Sequence, residues 1–329
     1  MNILITGATG FIGSRLALRH LEQGDFVRIL AQENNVAEAE NRRLLEAHGA
    51  AVAIASITDR CRVAEAVHGI DLVYHLAAAQ HEANIPDQRF WDVNVTGTAY
   101  LLEASVAAGV KRFVHGSTIG VYGAALAGRL DEQSPVHPEN IYGITKLEGE
   151  KHVLLFREKL PIVIIRIAET YGPGDHRLLK LFKGIQKKVC FIIGDGSNMH
   201  HPIYIDDLIA GLCLAATADE AVGHVFVLAG KEALTTAAML ATIAKQLGTR
   251  IPAFHLPLSV FLAAAILMEK TCRPLGIQPP LHRRRLDFFR KSFLFSQEQA
   301  AKLLGFTPRV SFEQGVAETA SWYSARGDL

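Results

Sequence analysis

Thr6-Gly7-Ala8-Thr9-Gly10-Phe11-Ile12-Gly13 joins the apolar run Ile3-Leu4-Ile5 to a helical pattern from Gly13 to Gln23, and no other stretch limits the fold so tightly. Gly7 permits the tight turn, Gly10 lets a pyrophosphate approach the backbone, and Gly13 lets helix and strand pack closely. The helix N-terminus then turns free amides and the positive end of its dipole toward the phosphates. Strand, glycine turn and helix in this order predict a dinucleotide-binding βαβ unit rather than an ordinary loop.

The same alternation continues downstream. Short apolar runs at Val27 to Leu30, Ala51 to Ala55, Leu72 to Leu76, Arg112 to His115 and Ile162 to Ile167 lack polar alternation, as strands buried on both faces do. Helical patterns at Arg89 to Ala108 and Ile141 to Glu158 lie between them, with lengths that fit right-handed crossovers. The expected class is α/β, a Rossmann-type doubly wound parallel sheet with a smaller C-terminal substrate lobe. After Arg166 the pattern shifts to Gly/Pro-rich turns, Gly172-Pro173-Gly174 and Gly194-Asp195-Gly196. This divides the 329 residues into a dinucleotide-binding domain, 1–168, and a mainly substrate-binding lobe, 169–329, with a strand near His224 to Leu228 able to return to the first sheet.

Composition narrows the partners. With 49% hydrophobic and 20% charged residues the chain can bury a large core, and a formal charge of +1 gives no global attraction to nucleic acid or an anionic membrane. A small-molecule substrate is therefore the expected partner. Cys61, Cys190, Cys213 and Cys272 form no Cys-x-x-Cys pair, so they are expected as buried thiols in a reducing compartment. The opening run Asn2 to Thr6 has no basic region before it and reads as a first strand, which points to the cytoplasm. The greasiest stretch, Leu256 to Met268, contains Pro257 and falls short of the roughly 20 residues that span a bilayer; a buried helix is expected there, with no membrane span.

An acidic residue at the end of the second strand would hold the adenosine ribose of NAD, but Leu30 is followed by Ala31 and Gln32. Losing that carboxylate removes a repulsion against a 2′-phosphate, which favours NADP over NAD. No arginine stands in the usual place. Arg28 points along the strand, and Arg42 and Arg43 fall on a helix surface.

Tyr142 and Lys146 are four apart, on one face of a helix. A neighbouring ammonium would lower the phenol toward the working range, so that Tyr142 could exchange a proton with a carbinol or carbonyl oxygen. The run Gly116-Ser117-Thr118 offers a hydroxyl at the C-terminal end of a strand, where open α/β sheets bind ligands.

With these motifs stand Asp71-Leu72-Val73-Tyr74-His75-Leu76-Ala77-Ala78, Asn94-Val95-Thr96-Gly97-Thr98, Ser117-Thr118-Ile119-Gly120-Val121-Tyr122-Gly123, Tyr171-Gly172-Pro173-Gly174-Asp175 and Tyr204-Ile205-Asp206-Asp207-Leu208. Over nearly its whole length the chain resembles an extended short-chain dehydrogenase/reductase of the NAD-dependent epimerase/dehydratase group. The resemblance implies that Tyr142 is the acid/base, that Lys146 also holds the nicotinamide ribose, and that Thr118, by its spacing from Val121-Tyr122-Gly123, is the third catalytic hydroxyl. It implies that Leu76, Ala77 and Ala78 line the cofactor groove, that Asn94 lies beneath it, and that Phe11 and Ile12 cover the pyrophosphate. Gln32, Ser56, Ile57 and Ile167 fall at further cofactor positions, Ser56 where an acidic adenine contact is usual and Ile167 where proline is common. A homodimer is a further implication.

Departures from the group matter equally. Dehydratases carry an acid just after the catalytic hydroxyl, where this chain has Ile119 and Gly120. Epimerases present an arginine to the diphosphate where Met199, His200 and His201 stand, and Glu169 replaces an amide that often faces the nucleotide sugar. The adjacent histidines have no further ligands spaced to join them, so they are expected at the substrate mouth or on a turn, with no metal. His75 is expected as a satisfied strand histidine. His282-Arg283-Arg284-Arg285 with Phe288, Phe289, Arg290 and Lys291 is expected as a helix with a basic outer and an aromatic inner face. The resulting expectation is an NAD(P)-dependent oxidoreductase acting on a secondary alcohol or ketone, with a nucleotide-sugar epimerase and a nonenzymatic dinucleotide sensor as alternatives.

Overall fold

A computed structural model describes residues 1–80, 85–123, 128–252, 255–272 and 283–329. Six strands, β1 (Asn2–Thr6), β2 (Phe26–Ala31), β3 (Ala51–Ile54), β4 (Leu72–His75), β5 (Arg112–Thr118) and β6 (Ile162–Ile167), are joined by a seventh, Val225–Leu228. All pair in parallel, in the order Val225–Leu228, β6, β5, β4, β1, β2, β3. The chain thus returns from the second half to complete the edge beside β6. Strand order reverses between β1 and β4, and the crevice at their C-terminal ends is where such sheets hold ligands.

Period-two geometry explains the continuous apolar runs. In β1, Ile3 and Ile5 pack against one helical layer and Leu4 against the other, and all three are fully buried. The first layer holds α1 (Phe11–Glu22), α2 (Val36–Ala47) and the helix Ile205–Thr217 through Leu16, Leu45, Leu208 and Leu212. The second holds α3 (Arg60–Val67), α5 (Gly97–Ala107) and α6 (Ile141–Leu155) through Val63, Leu101 and Val153. Each such side chain contributes about 1.5–3 kcal/mol by leaving water.

The single helix expected over Arg89 to Ala108 is α4 (Asp87–Trp91), a π-turn at Asp92–Thr96, and α5. Asn140 caps α6 by accepting the Gly143 N–H at 2.9 Å, which sets where the Tyr142 turn begins.

Two packing expectations fail. The helix Leu258–Cys272 is not buried: only Ala265 and Glu269 are, while Val260 and Leu267 are more than 60% exposed. It lies outside both layers, against the helix Arg283–Arg290, so its hydrophobic content does not reach the core. Cys61 is exposed near the start of α3, and the other three thiols are half-buried; all four are free. His282 lies outside the described residues. Phe288 and Phe289 pack against the core as the inner face, and Arg290 and Lys291 pair with Asp287 and Glu139. Among the described residues no helix is long and apolar enough to cross a membrane.

Candidate active site

A cleft of about 630 Å³ opens at the β1/β4 switch point. Its floor is the glycine turn. Gly7 has φ +73°, and a Cβ there would fall 2.6 Å from the Ala77 nitrogen; a Cβ on Gly13 would fall 2.3 Å from the Gly7 oxygen. Gly10 closes the turn by donating its N–H to the Gly7 oxygen at 3.1 Å. The missing side chains therefore allow α1 to begin directly under the cleft, a cradle that suits a pyrophosphate.

Most residues expected on the cofactor reach this cleft: Gly7, Gly10, Phe11, Ile12 and Gly13 from the turn, Gln32 and Ile57 from the next two strand ends, Leu76 to Ala78 after β4, and Ile167 at the end of β6. Three do not line it. Ser56 is hydrogen-bonded through Oγ to the Thr58 hydroxyl at 2.7 Å and accepts the Thr58 N–H, leaving Ala55 and Ile57 on the wall. Asn94 lies beneath, fully buried: it accepts the Ala79 N–H at 2.8 Å and donates to the Thr145 hydroxyl at 3.0 Å, tying the post-β4 segment to α6. Lys146 is also buried, one turn behind Tyr142.

Thr118 ends β5, and it and Tyr142 both line the cleft. Its neighbour Ser117 donates to Glu150 Oε1 at 2.5 Å, within a buried network in which Glu150 also takes Arg166 Nη2 at 2.9 Å. His75 is satisfied as expected, through Thr6 Oγ1 and Thr98 Oγ1, both at 2.8 Å.

The electrostatics differ from expectation. Burial pushes the Tyr142 phenol up to about 12, with Thr118, Arg177 and Gln80 only partly offsetting it. Lys146 is itself lowered to about 8 by burial, against the pull of Glu150. Desolvation of the phenolate thus outweighs the lysine effect expected from the four-residue spacing.

On the side away from the glycine turn, Glu169 lines the cleft and takes His200 Nδ1 at 2.8 Å. His200 is buried, with its Nε2 3.0 Å from both the Phe288 carbonyl and the Thr236 hydroxyl. Carboxylate and carbonyl are both acceptors and favour a proton on each ring nitrogen, although the Asn198 amide also lies 3.3 Å from Nε2. Burial opposes this, but Glu169 and the Phe288 carbonyl raise the histidine overall. His201 donates from Nε2 to the Gly230 oxygen at 3.0 Å and accepts the Phe295 N–H, and so is buried and does not line the cleft.

Sequence reasoning missed Arg177 and Arg89. Arg177 donates to Asp175 Oδ1 at 2.9 Å and the Thr170 oxygen at 2.7 Å, and its guanidinium lies 5.8 Å from the Phe11 ring centre. Its only signal was its place two residues after Asp175. Arg89, on α4, reaches Gln32, a contact between residues 57 apart.

Residues 3–229 match the family model described as "NAD dependent epimerase/dehydratase family". The chain belongs to that family. The UDP-glucose 4-epimerase of Mycolicibacterium smegmatis is 29% identical over 98% of each chain. The 3beta-hydroxysteroid-dehydrogenase/decarboxylase isoform 2 of Arabidopsis thaliana is 29% identical over 82% of this chain, which spans about half (51%) of the Arabidopsis protein. Among solved structures, UDP-glucuronic acid 4-epimerase from Bacillus cereus in complex with NAD superposes with TM-score 0.80 and 26% identity over 99% of each chain. This family member is accordingly an enzyme on a Rossmann-like parallel sheet.

Proposed function

We propose that this chain transfers a hydride at a secondary alcohol or ketone, with a nicotinamide dinucleotide along the glycine turn and residues 1–168 forming most of its site. The glycine cradle, with the small residues Ala77 and Ala78 on the opposite wall, suits that group. When bound, it supplies or accepts the hydride at the reacting carbon. Lys146 would hold its nicotinamide ribose, and Phe11 and Ile12 would cover its pyrophosphate.

Tyr142 is the acid/base. Its phenol, pushed up to about 12, is protonated at neutral pH and so is ready to donate to a carbonyl oxygen. Thr118 hydrogen-bonds the same oxygen and aligns it. In the reverse direction the carbinol proton passes to the phenolate of Tyr142, the minor form at neutral pH, as the hydride leaves. The missing carboxylate at Ala31 and Gln32 favours NADP.

The observation that separates this reading from nucleotide-sugar chemistry is the Glu169 carboxylate, held on the substrate side of the cleft by a buried His200. Paired with His200, that carboxylate has little net charge to offer, but it only accepts hydrogen bonds, which suits substrate hydroxyls and gives a diphosphate no donor. The full-length likeness to UDP-glucose 4-epimerase favours a second reading, in which the hydride returns to the other face of a sugar carbon. Calorimetry with UDP and UDP-glucose, beside dinucleotide-dependent turnover on an alcohol and ketone panel, separates the two. Turnover of simple ketones without UDP binding supports the first. Saturable UDP-sugar binding with no net change in cofactor absorbance would overturn it.

A further inference from the structure

The end of the cleft far from Tyr142 lies between Gln32, one residue beyond β2, and Arg89 on α4. Arg89 Nη2 approaches Gln32 Oε1 at 3.3 Å, a long contact, and its Nε and Nη1 have no partner among the described residues. The short helix that carries it is pinned by Phe90, whose ring is buried in the core, so the guanidinium is presented from a fixed base. Two of the arginines that flank Gln32 in the sequence, Arg28 and Arg42, are committed elsewhere. Arg28 donates to the carbonyls of Ala66 and His68, and Arg42 pairs with Glu33 and Glu46. Among the described residues lining this end of the cleft the acid is Glu38, whose Oε2 takes the Asn34 N–H at 2.7 Å and the Asn34 amide at 3.1 Å and so closes its own turn.

The geometry points to Arg89 as the group that reads the ribose 2′ position, taking the 2′-phosphate of NADP and giving this chain its preference over NAD. The assignment rests on the reading that the cleft holds a dinucleotide. In a doubly wound sheet the residue just past the second strand faces the adenosine ribose, and that residue here is the neutral Gln32. A carboxylate would accept from the diol of NAD. A planar guanidinium whose Nε and Nη1 have no partner among the described residues instead matches phosphate oxygens in pairs. The cation comes from α4 rather than from the loop after β2, and so supplies a charge that the local sequence lacks.

Calorimetry on the full chain with NAD, NADP, ADP and 2′-phospho-ADP-ribose tests this. The wild type is expected to bind the 2′-phosphorylated member of each pair at least about tenfold tighter. Arg89→Gln is expected to remove that factor while leaving NAD within twofold, and NAD binding then reports that the variant is folded. Glu38→Gln is expected to widen the preference. Equal losses for NAD and NADP in Arg89→Gln would show a stacking or structural role and overturn the assignment, as would a wild type that prefers NAD. If both dinucleotides bind and the variant keeps its NADP preference, only the Arg89 assignment fails. If neither binds, the dinucleotide reading fails with it.

Discussion

Ser117 and Thr118 are adjacent in β5 but serve opposite sides of the strand: Ser117 gives its hydroxyl to the buried Glu150 at 2.5 Å, while Thr118 meets Tyr142 in the cleft. Alternation along a strand separates the two hydroxyls, one for the core and one for the site. Thr118→Ala is therefore expected to lower kcat by about 10²-fold. Ser117→Ala should leave kcat within a few-fold and cost about 1 kcal/mol of stability. Steady-state rates beside urea melts distinguish them, and a larger kcat loss for Ser117 would reverse the assignment.

Removing the phenol hydroxyl tests the acid/base role directly. Tyr142→Phe is expected to lose about 10²–10⁴-fold in kcat while dinucleotide affinity stays within a few-fold. Undiminished turnover would remove Tyr142 from the chemistry.

Burial of Lys146 sets the pH dependence. Its ammonium, lowered to about 8, is charged below that pH and lost above it, so kcat/KM is expected to fall as pH rises through about 8. Tyr142, pushed up to about 12, keeps its proton across the same range. For stability the sign is opposite. The buried charge costs stability below pH 8, and that cost is relieved as pH rises toward the ordinary lysine value. A flat rate profile from pH 7 to 9.5 would count against a role for the ammonium.

The Glu150–Arg166 pair carries side-chain exposures of only 3% and 7%. Glu150→Ala strands the guanidinium and is expected to destabilise the fold by about 3–5 kcal/mol, read as a lower denaturation midpoint at unchanged slope. A change under 1 kcal/mol would mean that water reaches the pair.

At Gly7 the left-handed φ and the Ala77 nitrogen both exclude a side chain. Gly7→Ala is expected to cost about 1–3 kcal/mol and to weaken dinucleotide binding, since the turn must move to admit the Cβ. Wild-type affinity and melting in this variant would show the turn to be more yielding than its contacts imply.

The sheet was legible in the chain because it is written in local patterns. Ile3 to Thr6, Val27 to Leu30 and Leu72 to Leu76 are unbroken apolar runs, and a strand buried on both faces has no other signature. The glycine turn was legible because a Cβ at Gly7 or Gly13 cannot be accommodated. The Leu256 to Met268 run misled because hydrophobicity reports preference, whereas burial depends on what lies opposite.

By itself, the sequence determined the order of the sheet strands along the chain, the glycine turn and the placing of Tyr142 and Lys146 on one helix face, since each depends on residues near one another in the chain. Tertiary structure alone decided that Glu169 is anchored by His200, that Arg89 stands at Gln32, and that the Tyr142 phenol is raised rather than lowered. These properties arise from distance and desolvation between segments tens of residues apart. No local pattern encodes them.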